Sequence, residues 1–241
     1  VVRVFSMKFH KMINVYKNVY AFITPSEFLK KKLSLNGFEE KRIHCIPTFT
    51  ASKTTIGEQQ IGSYGLYFGR VTEEKGVETV IKAYEKLPEY TVKIMGDDTT
   101  DEAKRLKKYV ENHKMKNVEF LGFKSGAELE NVIKGARFTL IPSIWYDNLP
   151  NTALESFQYS KPVIASNIGS LPELVIDGEN GYLFKPSSVE DLIRKIKMLD
   201  DDTLVKKMGQ ASRKRLESRF APQTHYEDLM KIFNEAVKSR K

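Results

Sequence analysis

Cysteine is almost absent from this chain: Cys45 is the only one, so no disulfide can close within it. Its neighbours Ile43 and Ile46 read as the surroundings of a buried strand thiol without chemistry. Histidine is scarce too, and His10, His44, His113 and His225 show no metal-ligand spacing, so no metal is expected. No apolar run approaches the roughly 18 residues of a membrane span. Neither G-x-G-x-x-G nor G-x-x-x-x-G-K-[ST] occurs, which argues against a dinucleotide redox enzyme and a P-loop ATPase. The start at Val1 lacks the shape of a signal peptide and, falling in mid-pattern, reads as that of a trimmed or incomplete chain. A cytoplasmic setting fits, with the inner face of a membrane as the alternative place.

What is present suits a folded chain with a sizeable core: 241 residues, 41% hydrophobic and 29% charged. The net charge of +8 is unevenly placed. Residues 1–50 hold nine Lys or Arg against three Glu, whereas residues 51–241 hold thirty against twenty-eight acids. This basic start reads either as a solvated face, with Lys30, Lys31 and Lys32 on a helix, or as attraction to an anionic membrane surface or phosphorylated acceptor. Nucleic acid is not expected, since no aromatic–basic interleaving accompanies the charge.

From residue 64 short apolar runs alternate with amphipathic ones. Tyr64–Phe68, Thr91–Met95, Val118–Leu121, Phe138–Ile141, Val163–Ala165 and Tyr182–Phe184 read as buried strands. Apolar stripes between and after them mark helices: Val77, Val80, Ile81, Tyr84 and Leu87; Ala103, Leu106, Tyr109 and Val110; Val189, Leu192, Ile193, Ile196 and Leu199. This is the rhythm of an α/β, Rossmann-like doubly wound parallel sheet. Ahead of it, residues 21–24 and 42–46 read as two further strands around a helix from Pro25-Ser26 to about Leu35. That is too little material for a core of its own, so it should pack on something absent or on the final helix. Thr50–Gly57 has the composition of a linker. After Pro222 a last helix places Tyr226, Leu229, Met230, Phe233 and Val237 on one face.

The densest chemistry is Asn148-Leu149-Pro150-Asn151-Thr152-Ala153-Leu154-Glu155. A strand, a polar loop and a helix start follow one another there, the arrangement that receives an anion on backbone amides. Asn151 and Thr152 supply first-turn donors, unless Asn148 or Asn151 simply caps the helix. Glu155 lies one turn in, where it can accept both hydroxyls of a ribose. Gly69 admits a close backbone approach at another strand end, Arg70 offers a bidentate fork for phosphate, and Lys75 a mobile charge. Gly96 and Gly122 close two more strands and suit a base lying over backbone, with Lys124 or a main-chain group at its edge. Asp147 is placed near the sugar and Glu155 near the ribose, so the two do not read as the acid pair of a hydrolase.

The ordered set Phe68-Gly69-Arg70, Glu74-Lys75-Gly76, Phe120-Leu121-Gly122, Pro142-Ser143, Asp147 to Glu155, Lys161 to Ala165 and Gly178 to Gly181 resembles the carboxyl-terminal half of the GT-B retaining glycosyltransferases of family 4, or group 1. The resemblance implies residues 1–55 as a remnant of an amino-terminal acceptor domain with its linker, 56–220 as the nucleotide-sugar donor domain, and 221–241 as a helix packing back. It implies that Arg70 and Lys75 stabilise a diphosphate leaving group, that Glu155 holds the ribose, and that Asp147 touches the transferred sugar. Asp147 fills the first position of the family's E-x7-E pattern with a side chain one methylene shorter. The implied partners are a nucleotide sugar and a glycan, lipid-linked or small-molecule acceptor. A binding module without transfer, a subunit completed by a partner, and a nucleotide-sugar epimerase are the alternatives.

Overall fold

The computed structural model describes residues 9–10, 13, 15–50 and 60–239. The expected linker beyond Thr50 lies outside the described residues. Six strands form one parallel sheet: β3 (Tyr64–Phe68), β4 (Thr91–Met95), β5 (Val118–Gly122), β6 (Ala136–Ile141), β7 (Val163–Ser166) and β8 (Gly181–Phe184). Their order is β5-β4-β3-β6-β7-β8. The chain therefore winds outward from β3 in one direction, returns to β3's other side, and winds outward again, as in the doubly wound Rossmann order.

Both faces of the sheet are covered, which is why its strands are nearly continuous in apolar residues. Tyr67 joins one core cluster with Val80, Ile81, Leu106 and Ile196, while its neighbours Leu66 and Phe68 join another with Met95 and Ile133. Successive side chains of a strand point to opposite faces, and here both faces are core. A further cluster packs Leu154, Phe157 and Leu216 against Val163 and Ala165.

The amino-terminal residues form a second, two-stranded parallel sheet of β1 (Phe22–Thr24) and β2 (Ile43–Cys45), with α1 (Glu27–Leu35) between them. The second strand is shorter than the sequence suggests, because Arg42 belongs to the 3-10 turn Glu40–Arg42. These elements lean on the final helix, Pro222–Lys238: His225 Nδ1 donates to the Pro47 carbonyl at 2.7 Å, and Phe49 lies 4.7 Å from the His225 ring. Cys45 is half-buried instead of buried, and burial with nearby Glu27 pushes its thiol up to about 12. The final helix forms after Pro222 as expected. Ile232 is its buried residue, while Tyr226, Phe233 and Val237 are more than half exposed.

One interaction ties the lower edge of the sheet together. Lys161 is 1% exposed, and its Nζ donates to the carbonyls of Gln60, Lys134 and Ala136 at 2.6, 2.6 and 2.7 Å. Three protons meet three acceptors, so the charge is solvated by the backbone instead of water. Burial pulls the pKa from 10.5 down to about 8. The unfolded chain therefore binds more protons between those values, and Lys161 makes stability rise with pH across that window. Lys161→Met leaves three buried carbonyls without their donor and is expected to cost ~3 kcal/mol. Denaturant titrations at pH 7 to 10 check both points: the variant is less stable, and its deficit widens above pH 8.

Candidate functional site at the sheet's switch point

The strand order places β3 beside β6 at the point where the winding reverses, and in such sheets ligands sit beyond the carboxyl ends of these strands. Three glycines line the β3 side. Gly69 N donates to the Met95 carbonyl at 2.9 Å, and Gly96 N to the Gly122 carbonyl at 3.0 Å. A Cβ on Gly96 would fall 1.9 Å from the Gly69 oxygen, so the strand ends draw this close only without a side chain there. The result is a shelf of bare backbone from β3 to β5.

Arg70, next along, is exposed and has no ion-pair partner among the described residues. Its carbonyl accepts the Tyr67 hydroxyl at 2.5 Å. Burial, and secondarily the Asp147 charge, hold the Tyr67 phenol well above its usual range, so it remains a donor. Lys75 follows in the 3-10 turn Glu73–Lys75, which ends at Gly76 with φ 68°. A Cβ on Gly76 would lie 2.1 Å from the Pro142 oxygen. This close approach, with Ile144 N donating to the Glu74 carbonyl at 3.0 Å, pins the loop after β3 to the loop after β6.

Across that seam Lys75 Nζ meets Asp147 Oδ1 at 2.5 Å, and the Ser143 hydroxyl donates to Asp147 Oδ2. The Lys75 and Asp147 side chains are only 20% and 14% exposed, so water screens the pair less than a surface pair. Both carboxylate oxygens of Asp147 are thus engaged.

The third component is the start of α5 (Asn151–Gln158). Pro150 occupies the N-cap, and no side chain caps the helix. The expectation that Asn148 or Asn151 caps it does not hold, since Asn148 instead accepts from the Ser26 hydroxyl at 3.4 Å. Ala153 N bonds the Pro150 carbonyl, and the Asn151 and Thr152 amides are left facing the crevice end of the helix. A Cβ on Gly69 would lie 3.9 Å from Thr152 Cγ2, which puts the β3 end and the helix mouth in contact range. Thr152 is fixed from below: Ser156 Oγ donates to its carbonyl at 2.6 Å and accepts from Thr139 Oγ1 at 2.8 Å. Glu155, half-buried, has no hydrogen bond or ion pair among the described residues, and burial raises its pKa.

Gly69, Gly96, Gly122, Arg70, Lys75, Asp147, Asn151, Thr152 and Glu155 therefore all lie on or beside the same carboxyl edge. Lys124 is turned to Glu128 at 3.5 Å on the exposed side of its helix. Among the described residues no group of three or more His, Cys, Asp or Glu could hold a metal. Sequence reading missed Ser143 and Ser170 as site residues. Ser170 Oγ donates to the Asp147 carbonyl at 2.6 Å and accepts from Leu149 N at 2.8 Å, holding Leu149 at φ 57°. A lone serine after Ile168-Gly169 carries no local signal of such a bond.

Comparison with known proteins agrees with this geometry. The profile of glycosyl transferases group 1 matches residues 55–215. A glycosyltransferase of Methanocaldococcus jannaschii described as uncharacterised is 29% identical over 174 residues, covering 72% of this chain and 48% of its own length. A glycogen synthase of Mycobacterium tuberculosis is 31% identical over 186 residues, covering 73% of this chain and 42% of its own. The chain thus spans less than half the length of either relative. Among solved structures, a glycosyltransferase from Rickettsia africae superposes with TM-score 0.84 at 20% identity, covering 93% of this chain and 66% of that one. Anabaena HepE, solved with UDP and glucose, superposes with TM-score 0.79 at 20% identity, covering 89% and 63%. The profile match over most of the chain, and a sheet order shared with GT-B folds, make this chain a member of the glycosyl transferases group 1 family.

Proposed function

We propose that the crevice between β3 and β6 binds a nucleoside-diphosphate sugar, and that the chain is the donor-binding part of a retaining glycosyltransferase of family 4. One observation supports this reading: the β3 end that bears Arg70, the half-sunk Lys75 and a helix start without a side-chain cap lie together at the sheet's switch point. The Arg70 fork and the Asn151 and Thr152 amides suit the diphosphate, the glycine shelf suits the base, and Glu155 suits the ribose hydroxyls. A relative solved with UDP makes the uridine nucleotide the first to try.

In the proposed reaction the bond between the anomeric carbon and the diphosphate oxygen lengthens, and negative charge grows on the departing diphosphate. Arg70, Lys75 and the amides stabilise that charge more in the transition state than in the bound donor, which is what speeds the step. These cations and dipoles perform the neutralisation that a metal performs elsewhere. The acceptor, a glycan, lipid-linked or small-molecule hydroxyl, attacks on the leaving-group face and passes its proton to the departing diphosphate oxygen, so the new glycosidic bond forms as the old one breaks and the anomeric configuration is retained. Attachment to an anionic membrane surface through the basic residues of 1–50 is part of the same proposal.

Two measurements test it. Calorimetry of the chain against UDP-, GDP- and ADP-sugars is expected to show one binding partner, with Arg70→Ala weakening it by about tenfold to a hundredfold. If no nucleotide sugar binds, or Arg70→Ala binds as tightly, the donor assignment is wrong. The second concerns Glu155, whose raised pKa means the folded state prefers the neutral acid. Stability carried by that preference is present at low pH and lost as pH rises through the folded pKa. Glu155→Gln is therefore expected to melt higher than the parent at pH 7, to lose that advantage below about pH 4.5, and to bind the donor more weakly.

A further inference from the structure

The loop that carries Asp147 is held from two sides. From within the domain, Ser170 bonds the Asp147 carbonyl and the Leu149 amide, and Gly169 lies under the loop, where a Cβ would sit 3.2 Å from Tyr146 Cα. From outside, α1 presses on it: the Phe28 ring lies 5.0 Å from the Tyr146 ring, Lys32 Nζ stands 5.0 Å over the same ring, and Ser26 Oγ reaches Asn148. Both holds meet in the four-residue helix Leu171–Leu174, whose N-cap is Ser170. Its Glu173 reaches across to α1, where Oε2 accepts from Glu27 N at 2.8 Å and Oε1 from Phe28 N at 2.7 Å. The Glu173 carbonyl in turn accepts from Arg215, which anchors the short helix to the domain.

This is a helix cap supplied by a residue about 145 positions away in the chain. A carboxylate on two first-turn amides satisfies two orphan donors and opposes the positive end of the helix dipole. Ser26 already caps α1 locally by accepting from Leu29 N, so Glu173 is not needed merely to start the helix. Its distinct effect is to fix where α1 sits relative to the Asp147 loop.

We propose that Glu173 is a positioning residue for the donor site: by clasping α1, it seats Phe28 and Lys32 on Tyr146 and so holds the loop that presents Asp147 to Lys75. The consequence for donor binding rests on the function proposed above; the clasp itself does not. The chain provides its own probe, because its single tryptophan, Trp145, lies in this loop and is 65% exposed. The test compares Glu173→Gln with Asp201→Ala. Asp201 also caps a helix with its carboxylate, bonding Thr203 N at 2.8 Å, but at a place that does not touch the loop.

Glu173→Gln keeps the size of the side chain but turns an amide against one of the two N–H groups. It is expected to lower the steady-state anisotropy of Trp145 and to weaken nucleotide-sugar binding about tenfold, as for the loss of one cap. Asp201→Ala should lower the melting temperature by a similar amount while leaving the anisotropy and the affinity at parental values. Unchanged Trp145 anisotropy in Glu173→Gln overturns the clasp, and so does an equal change in Asp201→Ala. If the parent binds no nucleotide sugar, the donor reading falls, and the anisotropy comparison still decides the role of Glu173.

Discussion

The close approach of two loops, one leaving β3 and one leaving β6, is the constraint on which the site depends. Parallel strands in reversed winding order open a gap at their carboxyl ends, and nothing in that topology alone decides what fills it. Here the gap is narrowed by a backbone contact that admits no side chain, Gly76 against Pro142. Lys75 and Asp147 are then forced to face each other across the seam. The helix mouth at Asn151 and the β3 end at Gly69 are drawn together by the same closure. Rigid backbone thus brings together residues separated by some seventy positions, as a preorganised charge site requires.

Three energetic conflicts of the structure lie at this place. An uncapped helix start, a desolvated carboxylate without a partner at Glu155, and a non-glycine residue at positive φ at Leu149 each cost stability. Elsewhere several polar side chains are fully used. Asn117 Nδ2 donates to three carbonyls, Arg137 closes the gap between two helices through Leu199 and Asp200, and Lys161 satisfies three carbonyls at once. Amides and a carboxylate left open at one crevice suit a polar ligand, which is the reading proposed above.

Sequence pattern carried the sheet well, and physics explains how far. Buried parallel strands must be apolar on both faces, so Tyr64–Phe68 and Thr91–Met95 stand out to the residue. The strand-end glycines, Arg70, Lys75 and the loop to Glu155 were legible because their chemistry is bound to local turns and helix starts. The final helix was legible as a helix, but its stripe of Tyr226, Phe233 and Val237 signals amphipathicity without saying which neighbour, if any, covers it. The bonds made by Lys161, Ser170 and Glu173 were not legible, since each acts on backbone groups remote in sequence. A side chain bonded to a carbonyl or amide constrains no partner side chain, and so writes no pattern that periodicity or spacing could reveal.

The Lys75–Asp147 pair also orders events on the proposed reading. Lys75 takes one acceptor position on Oδ1 of Asp147 and Ser143 one on Oδ2, so a sugar hydroxyl must share the carboxylate with both. An incoming diphosphate carries more negative charge than one carboxylate, and competes for the Lys75 ammonium inside a poorly screened space. Once Lys75 turns toward it, Oδ1 of Asp147 is freed on the side where the sugar must lie, while Ser143 keeps Oδ2 in place. Contact with the sugar then follows capture of the diphosphate and does not compete with it. The shorter side chain at this position adds to this: an aspartate anchored by Ser143 has little freedom to reach past Lys75, so departure of the lysine opens the side of Oδ1 that it covers.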